Sequence, residues 1–141
     1  MKNRTLSLFL LVVAGLALGF TYGRQTVINN TQAGDLEQFA MADLVDSLKA
    51  SGRPYLPFLN RPTLRCGIYR LEAGATDGQS PHQLDEVYYV LNGKCRFRVE
   101  DQEVAVHPGD VLFVAAGATH QFYDIEEDLE LLVFFSAKAP E

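Results

Sequence analysis

The sequence predicts an all-β barrel or sandwich carrying one α-helix on its N-terminal side. Three observations lead there. From Thr63 to Ser136 the chain breaks into short apolar runs of strand length, bounded by turn residues. The turns recur regularly, at Asn92-Gly93, Asp101-Gln102, Pro108-Gly109-Asp110, Gly117 and Glu126-Glu127-Asp128, as they do in barrels and sandwiches. Helical periodicity is confined to one stretch, Asp35 to Ala50.

Taken in order, the chain opens with a targeting segment, residues 1–24. Lys2 and Arg4 precede an apolar run from Leu6 to Phe20, the charged region and hydrophobic core of a secretory signal. The run sits near the lower limit for spanning a bilayer. Tyr22 and Arg24 would suit an interfacial anchor, so the segment reads as a cleaved signal peptide or an N-terminal transmembrane anchor. We therefore expect an exported or membrane-anchored domain. Residues 25–34 are a polar, aperiodic linker, and its sequon Asn29-Asn30-Thr31 reads as a chance match.

Residues 35–62 form a helix and a covering loop. Asp35 can cap the helix, Leu36, Phe39, Ala40, Leu44 and Leu48 recur at helical spacing, and Gly52 followed by Pro54 stops it. From Ser51 to Pro62 three prolines break the chain into extended pieces that cover a barrel edge. The barrel itself takes residues 63–136, with a tail over 137–141. Its strands are predicted at Leu64–Leu71, Glu86–Leu91, Lys94–Glu100, Glu103–Val106, Val111–Ala115, Thr119–Ile125 and Leu129–Ser136. Asn92-Gly93 supplies a hairpin turn between the second and third.

Charge excludes one class of partner. The 141 residues carry a formal charge of −6. Three of the twelve basic residues, Lys2, Arg4 and Arg24, lie in the targeting segment, and none of the eighteen acidic ones does. The remainder is therefore near about −9, with no basic cluster, and a nucleic-acid partner is not expected. Cys66 and Cys95 can pair in an exported chain, but both sit in strand interiors, where free buried thiols are common.

Strand parity supplies the chemistry. Successive side chains point to opposite faces, so Glu86, Tyr88 and Val90 share one face, and His120, Phe122 and Asp124 share one face of a later strand. If those faces are interior, Glu86 and His120 point inward together, and His82, in the loop after Pro81, completes a set. A buried carboxylate without a partner is costly, and a divalent cation would compensate it. Tyr88, Phe97, Phe113 and Phe122 read as core or pocket lining. Arg96 and Arg98 read as solvent-facing, and His107 as a surface histidine.

The spacing of these residues resembles the cupin superfamily, specifically its small single-domain members. The first cupin motif runs glycine, five residues, His-x-His, three or four residues, glutamate, six residues, glycine. His82, Glu86 and Gly93 stand at its second histidine, glutamate and final glycine. The second runs glycine, five residues, Pro-x-Gly, two residues, histidine, three residues, asparagine. Gly109, Gly117 and His120 match it, with Ala115 in place of the proline and Asp124 in place of the asparagine.

The resemblance spans roughly Leu64 to Ser136 and implies a double-stranded β-helix, the jelly-roll barrel of cupins. Ser80 stands where the first histidine of His-x-His is expected. The family's four ligands thereby reduce to His82, Glu86 and His120. Two histidines and one carboxylate suit non-haem Fe(II) with open positions, and equally catalytic zinc. Asp77, Gln79, Ser80, Tyr88 and Phe122 are expected as pocket or supporting residues, with Gln79 able to offer an oxygen to metal or substrate.

The expectation is one divalent metal ion, Fe(II) first, with Zn, Mn and Ni as alternatives, and a small-molecule ligand or substrate. The function classes are an Fe(II) dioxygenase, a non-redox metal-dependent isomerase or lyase, and a non-catalytic binding module. The fold hosts all three. A homodimer is expected, with membrane contact only through an uncleaved N-terminus.

Overall fold

A computed structural model describes residues 36–136. The targeting segment, the linker and its sequon, the Asp35 cap and the tail lie outside those residues. Among them are one helix, α1 (Met41–Ser51), and six strands: β1 (Tyr55–Arg61), β2 (Leu64–Leu71), β3 (Glu86–Val99), β4 (Gln102–Val106), β5 (Val111–Val114) and β6 (His120–Ser136). All pairings are antiparallel, in the order β1-β2-β6-β3-β4, with β5 also on β3. This is the double-stranded β-helix expected from the sequence. No helix among the described residues is long and apolar enough to cross a membrane.

Two long strands replace four predicted short ones. Asn92-Gly93 lies inside β3, and Glu126-Glu127-Asp128 lies inside β6. A two-residue type I′ turn needs positive φ at both central residues. Gly93 has it (φ 101°) and Asn92 does not, so the strand bends where a hairpin was expected. β3 and β6 stay paired through the bend, with register slips between Val90 and Arg96. On β6 the positive φ falls at Asp124, at 47°. Each long strand thus serves both layers of the barrel. The N-terminal half of β3 pairs with β5 and its C-terminal half with β4. The tight turn after β3 is Glu100-Asp101, one residue earlier than predicted, with Glu100 at φ 49°.

The covering loop is also more regular than expected. Tyr55–Arg61 is an edge strand paired with β2, and its Pro57 sits beside a register shift, where a missing N–H is tolerated. The helix starts at Met41, later than the predicted Asp35. Ala40 precedes it without a side-chain cap, and Leu36 is 91% exposed. What holds α1 is Leu44, Val45 and Leu48 packed on Ile68 of β2. Phe39, outside the helix, packs edge-on against Phe58 at 4.9 Å. Gly52 ends the helix, its N–H bonding the Lys49 carbonyl.

Parity sorts the two cores. Tyr69 and Leu71 of β2, Tyr88 and Val90 of β3, and Leu129, Leu131 and Val133 of β6 fill the barrel interior. Ile68 and Leu132 face outward beneath α1. Both cysteines are free and buried. Cys95 belongs to the interior core, while Cys66 lines an outer groove with Phe58, Leu132 and Phe134. Opposite faces of the sheet separate the two thiols, and burial pushes Cys95 up to about 11. Phe113, expected inside, points outward and is 62% exposed.

Candidate metal centre

The interior face of the sheet delivers the site. Glu86 opens β3, His120 opens β6, and His82 stands in the loop before β3. That loop is clamped to the turn between β5 and β6. The Gly117 N–H donates to the His82 carbonyl (2.7 Å), and the Ala116 N–H to Asp85 Oδ1 (2.9 Å). At the other end of β6, the Ser136 N–H donates to the Asp85 carbonyl (2.9 Å). One ligand atom from each of His82, Glu86 and His120 lies within 4.8 Å of the other two. Glu86 is 2% and His120 4% exposed.

The donor chemistry fits a cation. His82 Nδ1 lies 2.7 Å from the Leu84 carbonyl, and His120 Nδ1 lies 2.9 Å from the Ala118 carbonyl. A carbonyl only accepts, so each Nδ1 carries a hydrogen and each ring turns its Nε2 toward the centre. Both Nε2 atoms converge on Glu86 Oε2, at 2.6 Å from His82 and 3.5 Å from His120. With both rings neutral, as metal ligands are, these atoms would be three acceptors facing one another, which repel unless positive charge lies among them. Burial pushes the Glu86 carboxyl above its ordinary pKa, against hydrogen bonds from Tyr88 and His82. A divalent ion would supply the missing charge, and two imidazoles with a carboxylate are a donor set such ions take.

A chain of hydrogen bonds braces the triad. Asp77, 4% exposed, accepts from the Tyr69 hydroxyl (2.6 Å), the Gln79 N–H (3.1 Å), Gln79 Nε2 (2.9 Å) and the Phe122 N–H (2.8 Å). Gln79 Oε1 accepts from the Tyr88 hydroxyl (2.8 Å), which lies 3.3 Å from His120 Nε2. Burial first, then the Glu86 charge, raises the Tyr88 phenol well above its ordinary value. Tyr88 is therefore a neutral donor here. Phe122 forms a floor, with its ring 5.2 Å from Tyr88 and stacked on Phe97 at 4.3 Å.

The five expected supporting residues divide four to one. Asp77, Gln79, Tyr88 and Phe122 surround the triad, whereas Ser80 is exposed and makes none of these contacts. Gln79 turns inward at that point of the loop. His107 lies away from the centre, 3.8 Å from Asp110. Arg96 and Arg98 face outward, over the Tyr123 ring and beside Glu103.

Sequence reasoning missed the cavity walls. A 180 Å³ cavity beside Glu86 is lined by Tyr55, Tyr69, Gln79, Val133 and Phe135. A larger one of 500 Å³ lies against His82 and shares the Tyr55 and Phe135 rings as walls. Gly67 makes room for Tyr55, since a Cβ there would stand 2.3 Å from its ring. Tyr69 lies on a strand the sequence did show, Leu64–Leu71, but nothing local marks its ring as a cavity wall. Tyr55 was hidden in a proline-rich segment that did not read as a strand.

Comparison with known proteins agrees with this geometry. Residues 67–135 match the family described as "Cupin domain". An uncharacterised protein of Streptomyces coelicolor is 40% identical over 101 residues, 72% of this chain and 96% of that protein. The chain carries a cupin-type domain. Among solved structures it is similar to KdgF from Halomonas sp. The TM-score is 0.54 at 21% identity, over 60% of this chain and 79% of that one. It is also similar to a salicylate 1,2-dioxygenase from Pseudaminobacter salicylatoxidans, with TM-score 0.56 and 22% identity. That match covers 67% of this chain and 32% of the dioxygenase, about a third of its length. At these identities the structural likeness speaks for the fold alone.

Proposed function

We propose that His82, Glu86 and His120 hold one divalent metal ion, Fe(II), and that the protein is a metal-dependent enzyme of dioxygenase type acting on a small molecule. The observation that carries this reading is the convergence of two imidazole nitrogens and a buried carboxylate oxygen within 4.8 Å. Two histidines and one carboxylate would hold such an ion with open positions, the donor set of non-haem Fe(II) oxygenases. The chain's own residues do the rest. The Leu84 and Ala118 carbonyls orient the imidazoles, and Tyr88, held by Gln79, stands beside His120. The rings of Tyr55 and Phe135 limit water on the open side.

The same donors suit zinc with a bound water, which would serve a non-redox isomerase or lyase. Metal analysis of anaerobically purified protein separates the readings, followed by oxygen uptake with candidate substrates. Iron with substrate-dependent uptake is the expected result. Tight zinc without uptake would move the protein to the second class, and no metal at all would make it a binding module. The reading also places the domain outside the cytoplasm, supported by Lys2, Arg4 and the apolar run that follows. Cell fractionation with the native N-terminus tests this, and full-length protein in the cytoplasm would count against it.

A further inference from the structure

One side chain at the cavity mouth is left over once the site is assembled. Arg65 stands in the same alternation on β2 as Gly67, Tyr69 and Leu71, but at the strand's exposed end, on the rim of the barrel. Apart from the exposed Arg53, the other basic residues of the described chain have acidic partners. Lys49 meets Glu130, Arg61 meets Glu37, Arg70 meets Asp128, Lys94 meets Glu126, and Arg96 and Arg98 meet Glu103. Arg65 carries no ion pair among the described residues, and it is the one arginine or lysine that lines the cavities at the triad.

Register fixes where it stands relative to the metal centre. Arg65 of β2 pairs with Phe135 of β6, and Phe135 pairs with Glu86 of β3. Directly paired residues point to the same face, so Arg65, Phe135 and Glu86 form one row across three strands. Two strand spacings put the Arg65 backbone about 10 Å from that of Glu86. Between them lie the Phe135 ring and the Tyr55 ring, 6.5 Å apart and edge to face. The 500 Å³ cavity that Arg65 and His82 share is otherwise lined by Tyr55, Pro57, Leu59, Asn60, Leu84 and Phe135, with no acidic side chain.

From this we infer that the cavity selects a small carboxylate with an apolar body. Its carboxylate would sit on the Arg65 guanidinium, its body against Tyr55 and Phe135, and its far end at the His82–Glu86–His120 centre. This rests on the reading of the triad as the metal and substrate site. A guanidinium offers a planar pair of N–H donors that matches a carboxylate. The apolar walls give such a pair weaker solvent screening than open surface does.

The test compares acid and amide forms of the same body. Benzoate against benzamide, and phenylacetate against phenylacetamide, are titrated into the metal-loaded full chain and its Arg65→Gln and Arg65→Lys variants, followed by NMR shifts. Metal content is measured on the same samples. Each acid is expected to bind at least about 10-fold more tightly than its amide, the scale of a charge-assisted hydrogen bond. Arg65→Gln should lose about 10–100-fold for the acids alone, with metal content unchanged, and Arg65→Lys should recover part of it. Equal binding of acid and amide, failure of both acids to bind, or undiminished acid binding by Arg65→Gln would overturn the inference. Absence of metal from all three proteins would count against the triad reading instead. The acid–amide comparison stays readable in that case, because Arg65 is not a ligand.

Discussion

At the scale of single residues, the centre depends on how firmly each imidazole is aimed. His120 is held at Nδ1 by the Ala118 carbonyl and flanked by the rings of His82 (5.0 Å) and Phe97 (6.2 Å). It opens β6 and lies at the rim of the interior core, so its loss should cost metal more than stability. His120→Ala is expected to retain little metal per chain by elemental analysis, while its thermal melt stays cooperative. Wild-type metal content in that variant would remove His120 from the ligand set. Gln79→Ala should weaken metal binding by about 10–100-fold, as removal of a supporting hydrogen bond does. The triad was legible because Glu86 and His120 sit on strands whose alternation is clear. Arg65 and Phe135 were not, since parity assigns a face but not which strands become neighbours. The row Arg65–Phe135–Glu86 exists only through two long-range pairings. Ser80 misled for a different reason. Spacing placed it toward the metal, but Asp77 draws the Gln79 side chain and backbone inward and leaves Ser80 outside.

At the scale of elements, the shape of the barrel comes from the bends in β3 and β6. Gly93 has φ 101°, and a Cβ there would lie 2.7 Å from both the Asp128 carbonyl oxygen and Leu129 Cα. These are backbone atoms of the paired strand and cannot swing away. Gly93→Ala is therefore expected to destabilise the fold by about 2–4 kcal/mol, combining left-handed strain with overpacking. Denaturant unfolding measures this, and a loss below about 0.5 kcal/mol, typical of a neutral surface change, would show that the bend relaxes. Leu64–Leu71 was readable to the residue, because turn signals bound it on both sides. The bends were not. Asn-Gly and a run of acids announce a break in straight strand, and local composition does not distinguish a reversal from a corner that stays paired. The start of α1 was misplaced because Leu36 and Phe39 continue a helical spacing, although Leu36 is left exposed and Phe39 reaches Phe58 from outside the helix.

At the scale of the whole molecule, the sheet's outer face bears on the expected homodimer. Val111 is 67% exposed, Phe113 62% and Tyr89 41%. They are direct neighbours: Phe113 pairs with Val87, and Val111 with Tyr89. The same rows continue across β6, Val87 to Phe134 and Tyr89 to Leu132. α1 covers only the far side of this surface, around Ile68. A contiguous apolar face of this kind is uncommon on a monomer and marks association. A two-fold axis through it would set each copy's β5 against its partner and bury the same residues twice. Light scattering during size exclusion should therefore report twice the chain mass. Phe113→Glu should give single chains with unchanged circular dichroism, because the side chain points away from both cores and its removal disturbs neither. A monomeric wild type at tens of micromolar, or a Phe113→Glu protein that still pairs, would assign the apolar face to something other than a second copy.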